Sequence, residues 1–171
     1  MSDTHAPPPL GGLRALVIGS TGGIGRAIAL ALSAAGTTLT LHGRSAERLA
    51  SLSTACAACS TEARRPVAIR AELSGCALGD ELMDAVSASD IVVVAFGPFV
   101  HKPLADTTRD EWRNMALDNL ALPGIIAGEA ASAMAGRGFG RILLFGGTRT
   151  DAIRGFKANA AYAAAKTGVG V

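Results

Sequence analysis

Apolar residues along the chain alternate between short continuous runs and longer stretches in which they recur every three or four residues. The continuous runs are typical of buried strands, and the periodic stretches are typical of amphipathic helices. The predicted strands cover residues 13–18, 37–41, 66–71, 90–95 and 141–145. The predicted helices cover residues 24–35, 45–59 and 107–135, with a further helix from Asn159 and a looser segment at 79–87.

The order of these elements predicts the fold. Strands and helices alternate with short links, which is typical of an α/β domain with right-handed crossovers. We therefore predict a doubly wound parallel sheet of five strands in the order 3-2-1-4-5, covered by helices on both faces. The length of 171 residues suits one such domain, placed at 13–171 after a flexible, proline-rich tail at 1–12. Ligands bind such sheets beyond the carboxyl ends of the strands.

Composition and charge argue against several classes of protein. Lys and Arg number 16 and Asp and Glu number 14, so the net charge of +2 gives no electrostatic reason to expect a nucleic acid or an anionic membrane as partner. No apolar run approaches the roughly 20 residues of a membrane-spanning helix. The first residues lack a secretory signal pattern, and the three cysteines do not suggest a disulfide framework. We expect a cytoplasmic protein.

A glycine-rich turn, GSTGGIG at residues 19–25, follows the first predicted strand. Its glycines permit a positive φ, a close approach of the backbone to a pyrophosphate, and tight packing of the helix on the strand. Free N–H groups and the helix dipole attract phosphates there. The turn therefore predicts a dinucleotide site, against the alternative of a plain tight turn. The candidate cofactor-binding residues of the turn are Gly19, Ser20, Thr21, Gly23, Ile24 and Gly25.

The end of the second predicted strand favours NADP(H) over NAD(H). Sites for NAD usually carry an acidic residue there to bind the adenosine ribose, and this chain has LHGRS at residues 41–45 instead. Arg44 is a candidate to pair with a 2′-phosphate, and Ser45 is a candidate to add a hydrogen bond. The alternative is a solvated arginine at the start of a helix.

Four ordered motifs resemble those of the short-chain dehydrogenase/reductase family. They are Gly19-x3-Gly23-x-Gly25, the segment from Asp106 through Glu111 and Trp112 to Asn119, the strand at 140–144, and Tyr162-Ala-Ala-Ala-Lys166. The resemblance covers residues 13–171. It implies a Rossmann-type fold and hydride transfer between a nicotinamide cofactor and a carbonyl or alcohol substrate, and with Arg44 the predicted cofactor is NADP(H). It also implies a homo-oligomer, either a dimer or a tetramer.

The resemblance assigns catalytic and cofactor-binding roles to three residues of this chain. Tyr162 would be the acid/base, Lys166 would hold the nicotinamide ribose, and Asn119 would fix a water near that lysine. Tyr162 and Lys166 are four residues apart and share one face of a helix, where the ammonium favours the phenolate form of the tyrosine. The alternative is a tyrosine and a lysine that merely face one side of a surface helix.

Two departures from the family pattern concern the cofactor. The stretch after the fourth strand, asparagine-rich in the family, is VAFG at residues 94–97, which leaves the backbone near Ala95 and Gly97 to line the adenine ribose. Glu72-Leu73 replaces the aspartate and aliphatic residue that the family places beside the adenine.

Two further departures concern the catalytic serine and the end of the chain. In place of the serine expected after the fifth strand stand Gly147 and Thr148, so we predict that the Thr148 hydroxyl takes its role, with Thr150 as the alternative. The chain stops at Val171, where family members continue with further strands and helices. We expect a domain incomplete at its C-terminus, either a fragment of a longer product or a shortened relative, that associates through exposed apolar faces.

The cysteines and histidines add no predicted metal site. Cys56 and Cys59 have CxxC spacing but lie late in an alanine-rich predicted helix. The histidines share no ligand spacing and are expected on the surface or in loops; they are His5, His42 and His101. For His101, which follows the fourth predicted strand, the alternative is a place at the border of the pocket.

Two hypotheses follow from the sequence. The first is an NADP-dependent oxidoreductase that acts on a small carbonyl or alcohol. The second is a non-catalytic dinucleotide-binding protein, a sensor or structural subunit, motivated by the missing serine and the altered stretch at 94–97.

Overall fold

The computed structural model describes residues 10–60 and 64–170, which form a parallel sheet of five strands with helices on both faces. The strands are β1 (Arg14–Ile18), β2 (Thr38–Gly43), β3 (Val67–Arg70), β4 (Ile91–Val94) and β5 (Arg141–Leu144). They pair in the order β3-β2-β1-β4-β5, with Leu16 of β1 opposite Thr40 of β2 and Val92 of β4. The predicted fold class and strand order are confirmed.

The helices of the described ranges are α1 (Gly23–Ala34), α2 (Ala46–Cys59), α3 (Asp80–Ala88), α4 (Arg109–Ala116), α5 (Leu122–Arg137) and α6 (Ala160–Gly168), with a 3₁₀ turn at Leu104–Asp106. Helix α3 stands where the sequence predicts only a looser segment. It forms because Leu82 and Val86 lie on one face and are buried, while Asp80 and Glu81 favour the positive end of the helix.

Both faces of the sheet are buried because alternate residues of the central strands point in opposite directions. Leu16 and Ile18 of β1 pack in one core cluster with residues of α3 and α5. Ala15 and Val17 pack in a second cluster with residues of α1 and α2. Two buried faces explain why the apolar runs of β1 and β4 lack polar alternation.

Side-chain caps start two of the helices. The Ser45 hydroxyl accepts the Arg48 N–H at the start of α2, and Thr108 and Glu111 form a capping box at the start of α4. Helix α1 differs, because its N-cap residue, Gly22, supplies no side-chain hydrogen bond and its first turn has no acidic residue. The N–H groups of that turn are left for another acceptor.

A π-helical turn, Leu117–Ala121, joins α4 to α5 within the long helix predicted at 107–135. Pro123 has no N–H to donate to the carbonyl of Asn119, four residues earlier, which explains why regular α geometry fails at this point. The wider turn buries the side chains of Asp118 and Asn119. The helix therefore carries an irregular turn at one of the predicted site residues.

The chain joins the fold slightly before the predicted domain start. The Leu10 N–H donates to the Ala35 carbonyl at 3.0 Å, and Leu10 packs against the core. Residues 1–9 of the predicted tail, with His5, lie outside the described residues. Within the described ranges, none of the helices has the length and apolar character needed to span a bilayer.

Candidate active site

A cleft of about 430 Å³ opens at the carboxyl ends of the first four strands. Its lining comes from the segments that follow these strands and from the π turn, and it comprises Gly19, Thr21, Gly22, His42, Gly43, Arg44, Arg48, Glu72, Leu73, Ser74, Ala95, Phe96, Gly97, Pro98 and Asp118. This volume lies in the range of small-molecule and cofactor sites.

The glycine turn forms one side of the cleft and requires glycine at two positions. Gly19 has φ +76°, and a Cβ there would lie 2.7 Å from the Ala95 carbonyl oxygen. A Cβ at Gly25 would overlap the Gly19 carbonyl, so this glycine lets α1 pack onto the turn. Gly23 faces open space, beside the uncapped first turn of α1. This end of the cleft suits a bound anion such as a pyrophosphate.

His42 ties β2 to the glycine turn, which corrects the expectation that it lies on the surface or in a loop. His42 is only 2% exposed. The Ser20 N–H and hydroxyl both donate to the His42 carbonyl, at 2.9 Å and 3.0 Å. The Gly19 N–H donates to His42 Nδ1 at 3.4 Å. The sequence signal was its place at the carboxyl end of an apolar strand, just before Gly43.

Charged side chains line the cleft where β2 and β3 end. Arg44 and Glu72 form a salt bridge of 3.2 Å, and their side chains are 71% and 70% exposed. Arg48, on the first turn of α2, also lines the cleft, although no sequence motif singles it out. The signal that could have found it is an arginine in the first turn of the helix that follows β2. Ser45 uses its hydroxyl oxygen as the cap of α2.

Gly97, after β4, lies against two buried polar side chains of the candidate site. A Cβ at Gly97 would lie 2.5 Å from Asn119 Oδ1 and 3.2 Å from Lys166 Nζ, so the two groups are neighbours. Asn119 Nδ2 donates to the Pro98 carbonyl at 3.0 Å. Asn119 Oδ1 is buried and has no hydrogen-bond partner among the described residues. The π turn thus presents an unused acceptor beside the lysine.

Lys166 is a buried cation without a carboxylate partner in the described part of the chain. It is 5% exposed, and burial lowers the pKa of its ammonium from the usual value. A buried, perturbed lysine beside a cleft is a frequent feature of functional sites.

Tyr162 lies next to Lys166 on α6. Lys166 Nζ is 5.9 Å from the centroid of the Tyr162 ring. Phe99 packs edge-to-face against that ring, with centroids 4.8 Å apart. A Cβ at Gly147 would lie 3.1 Å from Tyr162 Cε1 and 3.2 Å from Lys166 Cβ. The structure therefore brings Asn119, Tyr162 and Lys166 together, with Phe99 as a neighbour that no motif indicates.

The loop after β5 forms a tight turn beside Tyr162. The Thr150 N–H donates to the Gly147 carbonyl at 3.2 Å, and Arg149 has φ +62°. The Thr150 hydroxyl accepts the Gly147 N–H at 2.9 Å and donates to the Gly147 carbonyl at 2.8 Å. Thr148 is exposed. The hydroxyl of Thr150 is thus engaged within the turn.

The CxxC pair lies in the C-terminal part of α2. Cys56 is buried and Cys59 is exposed. Burial raises the pKa of the Cys56 thiol to about 11, which keeps it protonated at neutral pH.

A family model of the short chain dehydrogenases matches residues 14–170. The chain belongs to this family. A short-chain dehydrogenase/reductase from Serratia marcescens is 28% identical, with a TM-score of 0.77 over 94% of this chain and 65% of its own length. A proposed gluconate dehydrogenase from Agrobacterium tumefaciens is also 28% identical, with a TM-score of 0.80 over 95% of this chain and 64% of its own. A comparison with curated proteins gave no match.

This short-chain dehydrogenase chain spans slightly less than two thirds of the length of several solved structures that it resembles, 64% in one case and 65% in another, and up to 73% of others. Members of the family use nicotinamide dinucleotides. The cleft and the side chains that adjoin it at Gly97 fit such a group. The uncapped α1 turn suits its phosphates, and the unpaired Lys166 and Asn119 Oδ1 offer polar partners beside Tyr162.

Proposed function

We propose that the protein is an NADP(H)-dependent oxidoreductase that reduces a small carbonyl or oxidises the corresponding alcohol, with Tyr162 as acid/base. The observation that carries the proposal is the buried Lys166, which has no ion-pair partner in the described chain and lies beside Tyr162 and Asn119. It adjoins Gly97, which lines the cleft that contains the glycine turn. A buried cation with no structural partner is costly, so its retention points to a ligand or reacting group.

Residues from four segments would hold the cofactor. The turn residues Gly19, Gly23 and Gly25 leave room for the pyrophosphate at the start of α1. Arg44 is placed at the cleft rim to pair with a 2′-phosphate. Leu73 and the backbone of Ala95 line the space between these ends. The bound dinucleotide would supply the hydride donor or acceptor.

The proton chemistry belongs to the chain itself. The Tyr162 hydroxyl donates its proton to the substrate carbonyl oxygen in reduction and takes a proton from the alcohol in oxidation. The Lys166 ammonium stabilises the phenolate that remains. Asn119, through its unpaired Oδ1 or its carbonyl, holds a water near Lys166, and Lys166 binds the ribose.

Thr148 is proposed as the hydroxyl that steadies the substrate oxygen. It is exposed at the tip of the loop after β5 and makes no hydrogen bond within the described ranges. Thr150 is already engaged with both backbone groups of Gly147. We therefore expect Thr148→Val to lower turnover without lowering stability, and Thr150→Val to lower stability by about 1 kcal/mol. Turnover assays and thermal melts of the two variants separate these roles, and equal turnover of Thr148→Val and wild type contradicts the assignment.

A non-catalytic dinucleotide-binding protein is the second candidate, favoured by the absence of a serine at the loop after β5. Titration with NADPH and NADH tests binding, and NADPH consumption with a panel of small aldehydes and ketones tests catalysis. Binding with no turnover across the panel supports the second candidate. Binding with turnover that depends on Tyr162 supports the first.

A further inference from the structure

His42 connects the ends of three adjacent strands on one side of the cleft. Its carbonyl holds both donors of Ser20, and its Nδ1 accepts the N–H of Gly19. Its imidazole also faces the backbone of Ala71, which follows β3. Gly19 needs such support, because its left-handed conformation and its approach to Ala95 leave it little freedom.

The contact with Gly19 requires a neutral imidazole. A ring nitrogen accepts a hydrogen bond only when it carries no proton, and protonation would place two N–H groups against each other. Burial lowers the pKa of His42, which keeps the ring neutral, and the Ala71 backbone opposes this only in part. Nε2 is buried and makes no hydrogen bond within the described residues. Among the described residues, the Ala71 backbone is the contact that would favour the doubly protonated ring, and burial outweighs it.

We propose that His42 is a positioning residue whose neutral imidazole holds the glycine turn in its nucleotide-binding conformation, so that nucleotide affinity falls when the ring gains a proton. The inference rests on the proposed dinucleotide site. It gives His42 a role at the glycine turn, although His42 does not contact the reacting atoms.

Four charged side chains line the cleft: Arg44 after β2, Arg48 of α2, Glu72 after β3 and Asp118 of the π turn. Arg70 of β3 adjoins them, since its Nε donates to the Arg44 carbonyl. None of them forms an ion pair with the imidazole in the described part of the chain. His101 is the other histidine of the described ranges, and it does not line the cleft.

The test measures the Kd for NAD⁺ by calorimetry from about pH 8 to about pH 5. NAD⁺ is the probe because its pyrophosphate diester keeps its charge over this range, whereas a 2′-phosphate monoester gains a proton near pH 6. For wild type we expect constant NAD⁺ affinity at the upper end of this pH range. Below the midpoint of the His42 titration, the Kd should rise about tenfold for each pH unit.

Variants assign the effect to the ring nitrogen. Asn at position 42 supplies an acceptor that does not titrate, so His42→Asn should bind within about threefold of wild type at pH 8 and show no acid loss. His42→Leu leaves the Gly19 N–H unpaired and should bind about tenfold more weakly at every pH. His101→Asn is the matched control and should keep the wild-type profile.

The outcomes separate the inference from the function on which it rests. If wild type binds neither NAD⁺ nor NADP⁺ at pH 8, the proposed function fails. If wild type binds and His42→Asn keeps the acid loss, or His42→Leu matches wild type, the inference alone is wrong. Should the variants not fold, NMR on wild type decides: the Gly19 amide and the His42 ring must titrate with the same midpoint as the affinity, and different midpoints overturn the proposal.

Discussion

Tyr162 is the residue on which the proposed chemistry depends. Its ring has a structural role as well, since it packs against Phe99 and Gly147. Tyr162→Phe keeps that packing and removes only the hydroxyl. We expect turnover to fall at least about 100-fold, while cofactor affinity stays within a few-fold of wild type. Steady-state kinetics and cofactor titration measure the two quantities.

Lys166→Ala is the companion to this test. It should reduce both turnover and cofactor affinity, because the ammonium is proposed to serve the phenol and the ribose. Carbonyl reduction that persists at the wild-type rate in Tyr162→Phe contradicts the mechanism.

The salt bridge between Arg44 and Glu72 bears on cofactor preference. Both side chains are largely exposed, so their attraction is screened and a 2′-phosphate can displace Glu72 from Arg44. We expect NADPH to bind about 10-fold to 150-fold more tightly than NADH, and Arg44→Ala to abolish this preference. Glu72→Gln should increase it, because the change removes a carboxylate that competes for Arg44 and repels the phosphate.

Competition between NADPH and NADH in fluorescence titrations checks these ratios. Equal affinities of wild type for the two cofactors, or an unchanged preference in Arg44→Ala, count against the role of Arg44. A weaker preference for NADPH in Glu72→Gln than in wild type contradicts the proposal that Glu72 competes with the 2′-phosphate for Arg44.

At the scale of elements, the segment after β4 is fitted closely to the π turn and α6. Gly97 has a backbone conformation that alanine tolerates, so Gly97→Ala tests the added methyl group alone. That methyl would displace Asn119 and Lys166, and we expect turnover to fall at least about tenfold. The control is Gly128→Ala, in the interior of α5 with open space around it, which should raise stability by up to about 1 kcal/mol and leave turnover unchanged.

Kinetics and thermal melts of these two glycine variants measure the effects. Wild-type turnover in Gly97→Ala would show that Asn119 and Lys166 tolerate displacement and are not held in place for catalysis.

The sequence predicts the elements whose signal is local. The apolar runs predict β1 and β4, and the periodic apolar residues predict α1 and α2. Strands and helices that alternate in this way bury one another in an α/β domain, so the fold class and the strand order follow from the same pattern. The π turn is different, because Pro123 marks an interruption of the predicted helix but does not specify whether a kink, a new helix or a wider turn around Asn119 forms there.

The site is predictable where a motif specifies a backbone conformation, as at Gly19. It is less predictable where tertiary packing determines the direction or the neighbours of a side chain. The inward direction of His42 depends on the register of β2 between β1 and β3. The engagement of the Thr150 hydroxyl depends on the left-handed conformation of Arg149. The proximity of Phe99 to Tyr162 joins two segments far apart in the chain, which no local pattern encodes.

At the scale of the whole molecule, the two ends of the sheet carry different features. The carboxyl ends of the strands carry the cleft and the uncapped α1 turn, and Lys166 lies beside Gly97 of the cleft lining. The amino ends carry a closed network around Asp90, which precedes β4. Asp90 accepts from the Arg14 N–H at 3.0 Å and Arg14 Nη2 at 3.1 Å, and lies 3.5 Å from Arg137 Nε. The stabilising contacts of Asp90 thus lie at the amino ends of the strands, opposite the proposed active site.

This separation predicts that Asp90→Asn alters stability and its pH dependence while leaving cofactor affinity unchanged. Hydrogen bonds from Arg14 lower the pKa of the Asp90 carboxyl, since they favour its charged form. A lowered carboxyl pKa stabilises the fold above the unfolded value of about 3.9 and loses that contribution as pH falls through the folded value. We expect a loss of roughly 1–2 kcal/mol at neutral pH, which shrinks below about pH 4.

Urea denaturation across this pH range measures the difference between wild type and Asp90→Asn. The matched control is Asp110→Asn, which removes an exposed carboxylate of the first turn of α4 that pairs with Arg113 and should change stability by less than about 1 kcal/mol at neutral pH. Because Asp90 joins β1, β4 and the end of α5, its loss should also leave the glycine turn and α6 intact. A difference between wild type and Asp90→Asn that is constant from neutral to acid pH would show that packing around the side chain, and not its charge, holds this end of the sheet together.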